Sequence, residues 1–357
     1  MTSFYHLSDG YTWEVISKHT NFKHFHLLQN LIGKDVFWAN VGWPQQHWDL
    51  PHGHKAYVVM VEGPEVIWIE RQASRMHAPV IVLGMINQYD YSCANVVYVP
   101  WTEWHYQTKT MLETFAWSSK TSCTHLISSL SARISQNKIW STMAVIDQID
   151  RSQRLVSNSD WVEMKNVHDW KPTGNLRLDD LTVRYQQHLL GHKLAVDDFD
   201  QQAQSSLINH DYTSKAYRNV VFNVTNESWH YSLHHTPDRQ YTYPGPFLTE
   251  KTMKCLLSET AIIANGQFDT YRTLESLGMQ FDYGFDLHYD SESGNIDRSV
   301  GMIDLISQVG EHGIAYWFDR TLMSRRHNRE HIVTGHFYDA CESINLKAMD
   351  LIQQVLS

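Results

Sequence analysis

Cysteine is scarce. Cys93, Cys123, Cys255 and Cys341 are the four in 357 residues, and no two form a Cys-x-x-Cys pair. That pattern offers neither a zinc knuckle nor a disulfide framework, and free thiols fit a reducing compartment such as the cytoplasm. No apolar run approaches the roughly 18 residues of a membrane-spanning helix. The opening Met1-Thr2-Ser3-Phe4-Tyr5-His6 lacks the basic-then-apolar order of a secretory signal. Gly-x-Gly-x-x-Gly after a strand and Gly-x-x-x-x-Gly-Lys-Ser/Thr are both missing, which argues against NAD use and P-loop chemistry. Positive charge is also short. With 29 Lys and Arg against 39 Asp and Glu, the net charge of −10 disfavours non-specific nucleic-acid binding unless basic side chains cluster locally.

What is present is a chain long enough for two domains of about 100–200 residues each. Short runs rich in β-branched and aromatic residues recur between polar loops. Those at Asp35–Asn40, Ala56–Val61, Val66–Ile69, Pro79–Leu83 and Asn95–Val99 predict buried strands. A second group predicts strands at Thr124–Leu130, Asn219–Val224 and Ala261–Ala264. Helical spacing is expected over Lys138–Ile149, Thr249–Leu257, Thr270–Leu277, Met302–Val309 and Ile344–Leu356, with polar, irregular chain over Val156–Ile208. Alternating elements of this kind predict an α/β fold with parallel sheets and helices on both faces. The expected division is residues 1–120, residues 121–340, and a C-terminal helix within 341–357 that packs back on the first domain.

Ligands of open α/β sheets bind beyond the carboxyl ends of the strands. The strand at 219–224 runs into Thr225-Asn226-Glu227, and the helix after the next loop opens Thr249-Glu250-Lys251. A nucleoside diphosphate needs amide donors at a helix start, a cation for the phosphates and a carboxylate for the ribose. Thr249, Lys251 and Glu250 are the residue types that supply this set; a capped surface helix with an exposed Glu-Lys pair is the plainer alternative. For a base that deprotonates an acceptor hydroxyl, Glu62 at the end of the 56–61 strand is the first candidate and Asp49 the second. Arg325, Arg326 and Arg329 form the strongest basic cluster, a candidate DNA-gripping rim or a solvated helix edge. No metal site is expected. The doublets Asp179-Asp180 and Asp197-Asp198 follow no evident strand, and His230, His234, His235 and Asp238 lack ligand spacing.

The stretch Val220–Asp286, with VVFNVTNES and YPGPFLTEKTMKCLLSETAIIANGQFDTYRTLESLGMQFDYGFD, resembles the donor-binding half of fucosyltransferase-like and exostosin-like glycosyltransferases, most closely a phage-encoded set. The resemblance implies a GT-B fold, two Rossmann-like domains facing each other across a cleft. It implies a nucleotide-sugar donor, a UDP-sugar before a GDP-sugar, with no metal required. It assigns Glu250 to the ribose and Lys251 to the diphosphate, and matches Asn226, Glu227, Asn265-Gly266, Asp286, Asp297 and Arg298 to the same half. Ser131–Trp140 (SARISQNKIW) sits where these families carry a basic segment, which adds Arg133 and Lys138 as phosphate contacts. The acceptor that a phage kinship suggests is a hydroxymethylated pyrimidine in DNA, in the host cytoplasm, and such a base must be extruded to react. A glycan or small-molecule acceptor, or a non-catalytic Rossmann-like binding protein, are the alternatives.

Overall fold

A computed structural model describes residues 4–6, 36–41, 49–50, 52–61, 66–84, 91–102, 108–109, 111–112, 118–131, 135–158, 170–189, 217–227, 246, 248–292 and 294–357. They fall into two compact units. The first lies within Met1–Met111, Tyr231–Phe247 and His336–Ser357, the second within Leu112–His230 and Leu248–Gly335. No described helix is long and apolar enough to cross a membrane.

The first unit is built on five parallel strands, β1 (Phe4–His6), β2 (Val36–Val41), β3 (Ala56–Val61), β4 (Val80–Gly84) and β5 (Val96–Pro100), paired in sequence order. Successive side chains point to opposite faces. Tyr57, Val59, Val80 and Val82 therefore share one face and pack with Trp68, Ile69 and Ala73 of helix α1 (Val66–Ala73). Ala56, Val58, Ile81, Leu83 and Val99 share the other face. Crossovers between parallel strands are right-handed, so a sheet that always steps in one direction carries them all on one side. The second face is closed from elsewhere in the sequence, by Ala348, Met349 and Ile352 of the C-terminal helix α9 (His336–Leu356). Asn345 fastens that helix, exchanging hydrogen bonds with the backbone N–H and C=O of Thr102 at 3.0 and 2.9 Å.

Two expectations change here. Val66–Ile69 is not a strand but the first turn of α1. A four-residue apolar run cannot be told from a helix turn by periodicity, and the residues that follow decide it: Trp68, Ile69, Gln72 and Ala73 are buried at helical spacing. The sheet is also not Rossmann-like in its winding, because its described strands never reverse order.

The second unit does reverse. Its parallel strands β6 (His125–Ser131), β7 (Arg154–Asn158), β8 (Val220–Asn226) and β9 (Ala261–Asn265) run in the order β7-β6-β8-β9. The chain leaves β6 to one side for β7 and returns to its other side for β8. That makes the β6/β8 pair the switch point where a doubly wound sheet opens a crevice. Helix α2 (Gln136–Gln148) follows β6, and α3 (Leu176–His188) docks on it through Trp140 Nε1, which donates to Thr182 Oγ1 at 2.9 Å. Helix α4 (Glu250–Leu257) joins β8 to β9. After β9 come α5 (Thr270–Ser276), α6 (Asn295–Gly310), α7 (Ile314–Arg320) and α8 (Leu322–Val333). Phe222 of β8 stacks edge-on against Tyr283 and Trp317, which seals one face. Strand β7 lies in a stretch whose polar composition predicts no strand. It is an edge strand carrying half-buried side chains, so the hydrophobic signal is weak.

Candidate functional site

The carboxyl ends of β6, β8 and β9 carry polar side chains where a sheet interior would be apolar. Asn226, the last residue of β8, is fully buried. Its Oδ1 accepts from Ser141 Oγ of α2 at 2.8 Å and from Asn265 Nδ2 of β9 at 2.6 Å, and its Nδ2 donates to Ser129 Oγ of β6 at 3.0 Å. Asn265 Nδ2 also reaches the Asn137 carbonyl at 3.2 Å, and Asn137 Nδ2 donates to Asn295 Oδ1 of α6 at 2.8 Å. This chain of amides and hydroxyls satisfies itself within the protein and fixes where α2, α6 and three strand ends stand.

Glu227 continues the strand direction and is also buried. Its carboxylate accepts from the Thr249 backbone N–H at 3.3 Å, from the Thr249 hydroxyl, and from Thr252 Oγ1 at 2.6 Å. A carboxylate on the first turn of a helix satisfies orphan N–H groups and complements the dipole. Thr249 is the N-cap, accepting from the Lys251 N–H at 3.3 Å. Lys251 is half-buried. Its ammonium donates to Thr249 Oγ1 at 3.3 Å and stands 4.0 Å from Glu227 Oε2. A braced cation thus sits at a helix start beside the switch point.

The start of α2, which follows β6, has no side-chain cap. Ser135 is its N-cap, with extended backbone, yet its side chain makes no capping hydrogen bond. The hydroxyls of Ser131, which ends β6, and of Ser135 are both buried without a hydrogen-bond partner.

The sequence-derived candidates distribute unevenly over this geometry. Lys251, Thr249, Glu227 and Asn226 come together at the end of β8, and Lys138 is buried on the first turn of α2. Asn226, Glu227 and Thr249 are engaged by the protein's own groups, so the geometry makes them positioning residues rather than open ligand contacts. Glu250 opens α4, but its side chain lies outside the described residues, as do Glu62 and Arg133. Asp49 is exposed at 62% and paired with Arg75 at 2.9 Å. A hydrogen bond from Gln72, reinforced by Arg75, holds its carboxyl below the usual carboxylate range, which weakens it as a base. Arg298 is buried and stitches the turn after β9, donating to Gly266 O at 3.0 Å and Glu292 O at 2.7 Å. Asp179 caps the approach to α3 through Thr173 and Gly174, and Asp180 pairs with Arg184 at 2.9 Å. Asp197, Asp198 and the histidines at 230–235 lie outside the described residues. Among the described residues no three His, Cys, Asp or Glu side chains gather as a metal site.

The basic rim needs correction. Arg325 is 1% exposed and points inward. Its guanidinium donates to Thr321 Oγ1 at 2.8 Å, Glu259 O at 2.8 Å and Phe318 O at 2.7 Å. Arg329 turns towards the buried Glu259 at 3.7 Å, which leaves Arg326 as the exposed member. Both inward arginines belong to a clasp at the amino end of the same sheet. There Lys120 Nζ donates to Val220 O at 2.7 Å, Thr260 Oγ1 at 2.6 Å and Tyr217 O at 3.1 Å, while its backbone N–H donates to Glu259 Oε2 at 3.0 Å.

Sequence reading missed Ser131, Ser135, Ser129, Ser141, Asn137 and Asn295. The available signal was the polar run His-Leu-Ile-Ser-Ser-Leu-Ser at an expected strand. Compared with known proteins, the chain matches no family model, no curated protein and no solved structure.

Proposed function

We propose that the protein is a glycosyltransferase that takes its sugar from a nucleoside-diphosphate donor held at the carboxyl end of the second sheet. The observation that carries this reading is Lys251, an ammonium braced by Thr249 and Glu227 at the start of α4, beside the point where the strand order reverses. Helix starts and cations at such points favour phosphate. The resemblance of Val220–Asp286 to donor-binding halves supports a sugar nucleotide over other phosphate ligands.

In the transfer, the acceptor oxygen forms a bond to the anomeric carbon. The bond from that carbon to the diphosphate oxygen breaks, and its electron pair leaves with the diphosphate, where Lys251 offsets the charge. The acceptor proton passes to a base, for which Glu62 is the candidate; the weakened basicity of Asp49 makes it the lesser one. A hydroxyl is the acceptor group. Hydroxymethylated DNA is one arm of the assay, although the inward turn of Arg325 removes a phosphate contact from that surface.

The test is calorimetry of the full chain with uridine and guanosine diphosphates and their sugar conjugates, followed by transfer of labelled sugar to hydroxymethylated duplex, unmodified duplex and simple glycosides. Binding of a sugar nucleotide that is weakened in Lys251→Ala, with label on any acceptor, supports the reading. No nucleotide binding, or binding indifferent to Lys251, overturns it.

A further inference from the structure

We propose that the turn His288–Ser291 is a pH-sensitive latch on the start of α5: the uncharged Asp290 side chain holds the turn between β9 and α5 in place, and its ionisation frees that turn. The latch belongs to the ligand-free fold and is independent of the sugar-nucleotide reading above.

Asp290 grips the start of α5 with both its backbone and its side chain. Its carbonyl accepts from the Asp269 N–H at 2.8 Å, and its Oδ2 accepts from the Tyr271 N–H at 2.8 Å. Asp269 needs such a hold. Its φ is 62°, in the left-handed region, and its side chain makes no capping hydrogen bond. A non-glycine residue stays in that region only while its surroundings enforce it. Tyr289 secures the neighbouring position. Its hydroxyl donates to the Ala264 carbonyl at 3.0 Å, on the outer edge of β9. Its Cβ packs so closely on Gly301 of α6 that a Cβ added there would stand 2.4 Å from it.

The side chain of Asp290 is poorly provided for as an anion. The residue is 3% exposed, and its Oδ1 has no hydrogen-bond partner. A carboxylate accepts about four hydrogen bonds, and an under-satisfied charge is costlier to bury than a neutral group. The groups that face it are Arg298 of α6, which favours the charge, and Asp269, which opposes it. The phenols of Tyr271 and Tyr289 are kept uncharged by burial. The Arg298 guanidinium also serves Gly266 O, Glu292 O and Asn295 Oδ1. Burial outweighs it and raises the Asp290 carboxyl from 3.8 to about 7. Opened to water, the group returns to its ordinary value, so the closed latch binds one proton more than the open one between those limits. The latch is firm in acid, loosens roughly tenfold per pH unit between 3.8 and about 7, and is loosest above that window. His288 and Glu292, the other titratable members of this segment, are exposed and stand 3.8 Å from each other.

The turn that the latch governs starts at Gly266. Asn265 and Gly266 line a pocket of about 160 Å³ at the carboxyl end of β9, together with Asn295, Arg298 and Ser299 of α6. Loosening the latch lets one wall of that pocket move, so access to this end of the sheet is set by pH.

Hydrogen exchange of the ligand-free full chain from pH 4 to 8, corrected for the intrinsic pH dependence of amide exchange, reads the latch directly. In the wild type, protection of residues 269–276 is expected to fall roughly tenfold per unit up to about pH 7 and then to level off, while β6 and β8 keep theirs. Asp290→Asn is expected to hold the acid level of protection throughout, and His288→Gln to follow the wild type. Protection of residues 269–276 that is independent of pH in the wild type overturns the latch, even where Asp290→Asn does not fold. A loss shared equally by β6 and β8 also overturns it, because Asp290 then acts on global stability and not on one turn. A profile abolished by His288→Gln overturns it as well. No nucleotide enters the measurement, so its outcome does not turn on whether the protein takes a sugar nucleotide.

Discussion

The Glu227 carboxylate and the Lys251 ammonium stand 4.0 Å apart, but the glutamate side chain is 2% exposed and the lysine 21%. That asymmetry separates their roles. Glu227 holds three groups of the α4 turn, so Glu227→Ala leaves Thr249 and Thr252 unsatisfied in the interior. A loss of about 1–3 kcal/mol for each group left unsatisfied is expected in urea unfolding. Lys251→Ala is expected to change stability little and to weaken nucleoside-diphosphate binding by about 1.5–3 kcal/mol. Equal stability losses in the two variants would contradict this division.

The Lys120 clasp predicts a pH dependence. Burial lowers the amine from 10.5 to about 7, despite the favourable Glu259 carboxylate. Between those values the unfolded chain binds one proton more than the folded one at this group. Its contribution therefore makes stability rise with pH, by about 1.4 kcal/mol per unit across pH 7 to 10.5. Lys120→Met removes that slope but leaves the two carbonyls and Thr260 without their donor, so it is destabilising below pH 7 as well. The measurement is the difference between wild-type and Lys120→Met unfolding free energies at pH 6, 8 and 9.5; a difference independent of pH contradicts the reading.

Asp290 runs the other way. Burial raises its carboxyl from 3.8 to about 7, against the lowering effect of the Tyr271 N–H and Arg298, and its Oδ1 has no hydrogen-bond partner. Here the folded state binds the extra proton. The group's stabilising contribution is full below pH 3.8 and is lost as pH rises towards 7. Asp290→Asn keeps an oxygen for the Tyr271 N–H and cannot ionise. It is expected to match the wild type in acid and to exceed its stability at pH 8, read by thermal melts across that range. A variant less stable than wild type at pH 8 would show that the charge is needed.

Much of this fold was legible because apolar runs of five to seven residues report strands buried on both faces. Ala261–Ala264, which becomes β9 with Asn265, is a short run of this kind, and Thr249 followed by Glu250 and Lys251 announces a cap from the sequence alone. What was hidden depends on partners distant in the chain. Nothing near Arg325 says that a run of Ser-Arg-Arg-His-Asn-Arg turns two arginines towards Glu259, because that pairing spans 66 residues. Ser131 and Ser135 read as an ordinary polar turn. Only the absence of partners around two buried hydroxyls, a property of the folded surroundings, marks them out.

The winding of the first sheet leads to the last prediction. Because its described strands step in one direction, crossover helices cannot cover both faces, and the face formed by Ala56, Val58, Ile81, Leu83 and Val99 depends on α9. Ile352 is fully buried there, more than 250 residues after the strands it covers. Ile352→Ala is expected to cost about 2–5 kcal/mol, and Ile352→Asp to strip the helix from the sheet by placing a charge in that layer. Hydrogen exchange on the full-length Ile352→Asp protein reads the outcome strand by strand. Amides of β3, β4 and β5 should lose protection, while those of β6, β8 and β9, whose cores are filled by their own unit, keep theirs. Retained protection in β4, the central strand of the covered face, would mean that α9 is not what closes this sheet.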